Sequence, residues 1–250
     1  MRVVAVINQK GGVGKTTTTA NLAYAIAMQG YNVTLLDMDP QGHLAAYFGY
    51  ANSDLAGVEG LLGGEVLIKD TVIEARDRIR LVPAGPGLNE LEKRGKAGLG
   101  ENLNRACESL KGQDFVFIDC PPASGILIDY ALSAAREILV PVAGDYLALR
   151  GLSDIVLTLK KFEEKFNQSF NKWIVVTRFH VRRRLSWEVL DKLQEYFSGS
   201  VLATQVRENS VLAESPGYGK TAFEYKRGNK GASDYERLAK NFLNGEYYRG

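Results

Sequence analysis

Residues 10–17 read Lys-Gly-Gly-Val-Gly-Lys-Thr-Thr, with three glycines between two lysines and a pair of hydroxyls at the end. Glycines leave backbone N–H groups open to wrap an anion, and a helix that begins beside them adds the positive end of its dipole. In that setting Lys15 would reach the β- and γ-phosphates of a nucleotide, and the Thr16 hydroxyl would ligate Mg²⁺. Gly11, Gly12, Val13, Gly14 and Thr17 complete the candidate nucleotide-binding loop. The general phosphate-loop pattern Gly-x-x-x-x-Gly-Lys-Thr would fall on 9–16, where Gln9 replaces the first glycine, so the motif is a deviant form. Lys10 is the unusual member. Five residues before Lys15, it is either a solvated surface cation or a charge presented outward to the phosphates held by a facing copy of the chain.

Nucleotide hydrolysis also needs a carboxylate for magnesium and a group that positions the attacking water. Two acidic loops qualify: Asp37-Met-Asp39-Pro40-Gln41, and Asp119-Cys120-Pro121-Pro122, which ends the apolar run 115–119. Asp119 suits the metal role through the ion's water shell, and Asp39 suits orienting or deprotonating water. The competing reading for each is a turn aspartate bonded to its own backbone near proline. Asp37 stays open between a structural and a chemical role.

These groups need a scaffold that gathers strand ends. The continuous apolar run 3–7 predicts a strand buried on both faces, and a helix follows from about Lys15 to Gln29, ending at Gly30. A second strand is expected at 33–36, closing a β-loop-α-β unit of the kind that builds parallel sheets. Further strands are expected at 79–83, 115–119, 137–142, 173–177 and 201–206. Helical faces are formed by Leu152, Ile155, Val156, Leu159, Phe162 and Phe166, and by Val189, Leu190, Leu193 and Phe197. A last helix spans about 231–243, and the segment 42–75 reads as turns and short helices. The fold class is therefore α/β, a doubly wound, mostly parallel sheet flanked by helices. One domain over residues 1–250 is the simplest organisation at this length.

Composition excludes several classes. Hydrophobic content of 45% with 24% charge is ordinary for a globular chain. No apolar run approaches the roughly 20 residues of a membrane span, and the apolar start is too short for a signal peptide, so the expected location is cytoplasmic. Two cysteines, Cys107 and Cys120, make no disulfide framework, and two histidines argue against a zinc site. The net charge of +2 says little about partners, but its distribution says more. Arg178, Arg182, Arg183 and Arg184 precede a helix near Leu185, where cations oppose the helix dipole and an external anion would explain them. Lys220, Lys226, Arg227 and Lys230 lie among glycines and aromatics. Such loops suit sequence-independent contact with phosphates, and neither looks like a helix-turn-helix reader.

Taken together, Lys10–Thr17, Asp37-x-Asp-Pro-Gln41 and Asp119-Cys-Pro-Pro122 closely resemble the ParA/MinD group of deviant Walker ATPases. Glu137-Ile-Leu-Val-Pro-Val142, Tyr146-Leu-Ala-Leu-Arg-Gly-Leu152, Glu214-Ser-Pro-Gly-Tyr-Gly-Lys220 and Gly231-Ala-Ser-Asp-Tyr235 with Leu238-Ala239 resemble its ParA/Soj branch. The resemblance implies an ATP- and Mg²⁺-dependent homodimer in which Lys10 contacts nucleotide across the interface and Asp39 supports hydrolysis. It further implies non-specific DNA binding by the ATP form, a ParB-like stimulator, and nucleoid association that positions plasmids, chromosome origins or other cargo. It places 206–214, Val-Arg-Glu-Asn-Ser-Val-Leu-Ala-Glu, at the base pocket and DNA face, which adds Arg207 to the candidate DNA contacts. That stretch departs from the usual Pro-Arg-Asn-Val-Arg-Leu-Ser-Glu. The chain opens directly on its first strand, so promoter autoregulation through an N-terminal DNA reader is not expected. A MinD-like membrane-cycling ATPase is the alternative. It needs a terminal amphipathic helix, and the tail 241–250, with Gly245 and few cations, argues against one. Cys120 is wrongly placed for an iron–sulfur scaffold, and an amide-forming synthetase would need an added substrate domain that is not evident.

Overall fold

The computed structural model describes residues 1–50, 57–95, 99–122, 125–150 and 152–248. Gly151 and the last two residues, which belong to stretches singled out above, lie outside the described residues, as do the side chains of Leu152 and Ile155.

Seven strands form one sheet: β1 (Arg2–Val6), β2 (Val33–Asp37), β3 (Ile73–Arg76), β4 (Ile79–Val82), β5 (Phe115–Asp119), β6 (Glu137–Ala143) and β7 (Asn171–Thr177). Their order is β3-β4-β2-β5-β1-β6-β7, and only β3 runs antiparallel to its neighbour. Side-chain alternation along the interior strands feeds two cores. Val3 and Ala5 face one layer, with Leu103, Leu127, Leu159 and Leu190 from helices Leu99–Ser109, Ile126–Ala134, Leu152–Phe166 and Arg184–Tyr196. Val4 and Val6 face the other, with Leu22 and Ile26 of helix Lys15–Ala27 and Leu238 and Phe242 of helix Lys230–Asn244. Helices on both faces explain why β2 and β5 are buried at every position. The doubly wound, mostly parallel sheet expected from the sequence is the observed architecture.

Two expectations need correction. The segment 201–206 is not a strand of the sheet. It bonds β7 at Ile174 and Val176, but between these points Ala203 N–H donates to the Glu246 carbonyl, 3.2 Å away, and the ladder is interrupted. Conversely, β3 begins within the stretch 42–75, read as turns and short helices, and ends just past it. Four residues, Ile-Glu-Ala-Arg, turn back at Asp77-Arg78 to pair with β4, and only alternate side chains face the core. So short a half-buried edge strand carries little periodic signal.

Candidate active site

β1 lies between β5 and β6, and the loop that follows it opens at the carboxyl ends of the parallel strands, where ligands gather in open α/β sheets. Gly12 and Gly14 adopt φ of +74° and +84°, a left-handed backbone that side chains other than glycine rarely accept. The loop is pinned from both sides. Asn8 Nδ2 donates to the Pro141 carbonyl at 2.8 Å while its Oδ1 accepts from Lys10 N–H at 3.0 Å. On the other flank, the Thr177 hydroxyl donates to the Val13 carbonyl at 2.8 Å. Gly14 caps helix Lys15–Ala27 without any side-chain hydrogen bond, so the first N–H groups of that helix are left for an external acceptor. A Cβ built on Gly11 or Gly12 meets nothing within 4 Å, which makes the space over the loop an open cradle.

The two lysines of the loop are placed differently. Lys15 is only 7% exposed, and its ammonium donates to the Lys10 carbonyl at 3.2 Å. Burial lowers its pKa, opposed by the charges of Asp119 and Asp39. Lys10 stands on the outer wall, where its ammonium donates to the Leu147 carbonyl of the short helix Tyr146–Arg150.

Asp37, Asp39 and Asp119 share this end of the sheet. Asp37 is fully buried, and its two oxygens accept from the N–H groups of Asp39 and Leu44, each at 3.0 Å. Burial first, then the charge of Asp119, holds its pKa well above the usual carboxylate range, so Asp37 organises the loop behind it. Asp39 is partly exposed, and its Oδ1 accepts from the Gln41 N–H at 3.0 Å. Asp119 is buried and pairs in register with both Val6 and Asp37. Its Oδ1 accepts from the Thr19 hydroxyl at 2.9 Å, whereas its Oδ2 is buried with no hydrogen-bond partner among the described residues. Burial pushes this carboxyl up to about 6, against the Thr16 and Thr19 hydroxyls and the Lys15 charge, which favour ionisation. An unpaired buried carboxylate oxygen is costly unless something outside the chain satisfies it. With Thr16 beside it and the open cradle above, the residues fit a magnesium-bound polyphosphate, an ion that keeps most of its waters and takes few protein ligands.

Beside the loop lies a pocket of about 450 Å³ lined by Gly12, Thr17, Thr177, Arg178, Arg207 and Tyr235, among others. Arg178 and Arg207, both among the expected DNA contacts, thus lie at this pocket. Arg178 is exposed at the pocket rim, 3.3 Å from Glu208. Arg207 is committed to the buried Asp234, with its Nη2 2.6 Å from Oδ1 and its Nε 2.8 Å from Oδ2. Arg182, Arg183 and Arg184 are exposed at the start of helix Arg184–Tyr196, and Lys226, Arg227 and Lys230 are exposed near helix Lys230–Asn244. Of these six, only Arg184 makes an ion pair among the described residues, to Glu188 at 2.8 Å.

Sequence reasoning missed three supporting residues: Thr19, Thr177, and Tyr47, whose hydroxyl donates to the Thr17 hydroxyl at 2.9 Å. Thr19 alone left a signal. Four consecutive threonines opening a helix are poor helix formers, and 16 and 19 share a face.

The comparisons agree with this geometry. A family model described as an AAA domain matches residues 1–172. The sporulation initiation inhibitor protein Soj of Bacillus subtilis is 34% identical over 248 residues, which covers 96% of this chain and 97% of that protein. The chain belongs to the Soj/ParA family of ATPases. The chromosome-partitioning ATPase Soj of Thermus thermophilus is 36% identical, with 97% of this chain and 96% of that protein covered. Among solved structures, a cobyrinic acid a,c-diamide synthase from Mycobacterium smegmatis with bound ATP analogue and magnesium matches with a TM-score of 0.82 and 30% identity, over 97% of this chain and 94% of that one. That last match extends over nearly the whole of the other chain, so an added substrate domain is not what separates an amide-forming enzyme from a partition ATPase. As a member of this family the chain is an ATPase that uses ATP and Mg²⁺.

Proposed function

We propose that this chain, as a single ATPase domain over residues 1–250, is an ATP-dependent dimerisation switch that holds DNA without sequence preference and releases it on hydrolysis. The observation that carries the reading is the contrast between the two loop lysines. Lys15 is buried beneath the cradle, where it neutralises the β- and γ-phosphates of its own nucleotide, and Lys10 stands outside it on a single backbone carbonyl. Leaving the Leu147 carbonyl, Lys10 reaches the nucleotide of a facing copy.

Bound magnesium supplies charge neutralisation to the β- and γ-phosphates. Thr16 would provide it a hydroxyl ligand, and Asp119, whose buried Oδ2 has no other partner among the described residues, would accept from its water shell. Asp39 orients the attacking water, and the N–H groups of residues 11–17 hold the phosphates in line.

The names of the relatives support an output in partition: both Soj proteins and the chromosome partitioning protein ParA of Myxococcus xanthus, 33% identical, cover nearly the whole chain. By that reading the protein is cytoplasmic and nucleoid-associated, positions a plasmid, chromosome or other cargo, and is stimulated by a ParB-like partner. The exposed Arg182–Arg184 and Lys226, Arg227 and Lys230 supply the phosphate contacts. The helix Lys230–Asn244 is not itself a membrane-binding face, because its apolar side, Tyr235, Leu238 and Phe242, is spent on the core. No helix among the described residues is long and apolar enough to cross a membrane.

The test is retention on DNA. With ATP the protein is expected to be retained on unrelated duplexes equally, and with ADP to elute. Retention independent of nucleotide, or capture by anionic lipid vesicles in place of DNA, would overturn the proposal.

A further inference from the structure

We infer that Thr19 is a positioning residue for the magnesium site, the group that turns Asp119 so that its second oxygen faces the metal's water shell. The inference rests on the proposed metal role of Asp119. Asp119 lies in an interior strand, held by β1 on one side and β2 on the other, and its carbonyl accepts from Met38 N–H at 2.9 Å. The backbone is therefore fixed, and only the side-chain torsions decide where the two carboxylate oxygens point.

Thr19 settles those torsions. It is fully buried in the second turn of helix Lys15–Ala27, with its hydroxyl 2.9 Å from Asp119 Oδ1 and 3.1 Å from the Lys15 carbonyl. A threonine within a helix ordinarily returns its proton to the carbonyl four residues back. Here the hydroxyl has one proton and two acceptors, and the carboxylate is the stronger because its charge assists the bond. The proton goes to Asp119. Oδ1 is thereby occupied, and Oδ2, buried and otherwise without a partner, is the oxygen left for the ion. Thr16 and Thr19 are one helical turn apart, so one face of the helix offers a hydroxyl to the metal and a hydroxyl to the carboxylate that shares it. Asp37, opposite Asp119 in register, is less suited to the ion, because each of its oxygens already accepts from a backbone N–H group.

The experiment measures the affinity of a fluorescent ADP in Mg²⁺ and in EDTA, without hydrolysis. Thr19→Val keeps the shape and removes the hydroxyl. The Mg²⁺ concentration for half-maximal tightening should rise about tenfold or more, as for other groups that orient a metal's ligands, with the EDTA affinity unchanged. Thr19→Ser should restore the Mg²⁺ dependence. If thermal unfolding reports Thr19→Val unfolded, Thr19→Ala is read in the same way. An unchanged Mg²⁺ requirement in a folded variant overturns the inference, and so does an equal loss in EDTA, which would assign the hydroxyl to the loop. Asp119→Asn separates the two claims. If it leaves the Mg²⁺ dependence intact, the metal role of Asp119 fails. If it abolishes that dependence while Thr19→Val does not change it, the positioning role alone fails. In the Asp119→Asn background, Thr19→Val should add nothing.

Discussion

Asp37, Asp39 and Asp119 lie close together at the carboxyl end of the sheet, yet their partners divide the work among them. Asp37 has no free oxygen, Asp119 has one, and Asp39 has given up only one backbone hydrogen bond and stays partly exposed. A group that must meet water from outside has to be the exposed one. Asp39→Ala is therefore expected to slow hydrolysis by about 10²-fold or more, the usual scale for a lost general base, with ATP affinity retained. The ATP-loaded protein should then elute as a persistent dimer in size-exclusion chromatography, and a monomer under ATP would count against Asp39 in this role. Lys10, Lys15, Thr16, Asp39 and Asp119 stand out in the sequence as candidates because each belongs to a contiguous motif at a strand end. Thr177 and Tyr47 do not, because their value lies in contacts to Val13 and Thr17, 164 and 30 positions away. The open question of whether Asp37 is structural or chemical likewise required knowing which of its oxygens were already bonded.

Among the elements, the long apolar strands and amphipathic helices were readable because their periods are set by burial on both faces of the sheet. The boundaries that failed are those where tertiary contacts overrule local pattern. Val201, Leu202 and Val206 are apolar and buried like a strand, but the backbone between them is drawn away towards the C-terminal turn at Glu246. This same stretch delivers Arg207, whose role changes once its partner is known. Asp234 is completely buried, and Arg207 supplies it with a backbone N–H at 3.0 Å and two guanidinium hydrogen bonds, while Arg237 approaches from one turn along the helix. Removing one partner of a buried pair costs about 3–5 kcal/mol. The Arg207 side chain is 30% exposed and Arg237 remains, so about 2 kcal/mol is the better expectation for Arg207→Ala. Urea unfolding should read that loss as a lower midpoint. Because Arg207 also lines the pocket beside the loop, nucleotide affinity should fall with it, whereas a variant that loses DNA retention alone, at unchanged stability, would return Arg207 to the DNA surface.

Across the whole molecule, a net charge of +2 conceals an uneven surface. Stability does not explain Arg182, Arg183 and Arg184, which crowd the positive end of a helix dipole and remain exposed. The pair between Arg184 and Glu188 does little to hold the arginine back, since an exposed pair one turn apart is worth about 0.3–0.5 kcal/mol. A phosphate can displace it. If these side chains meet DNA backbone, their loss must act through counterion release, which makes salt the deciding variable. The slope of log affinity against log salt should shrink by about 0.9 for each phosphate contact removed. Arg183→Ala with Arg184→Ala should therefore weaken binding of the ATP form at low salt, flatten the salt dependence by up to about 1.8, and do so equally on unrelated duplexes. ATP hydrolysis without DNA should be unaffected, because among the described residues neither side chain bonds to the phosphate loop or to Asp37, Asp39 or Asp119, and the Arg184 guanidinium is paired with Glu188. An unchanged slope would move the DNA surface to Lys226, Arg227 and Lys230, whereas a loss confined to particular sequences would mean base reading, which the proposed switch does not use.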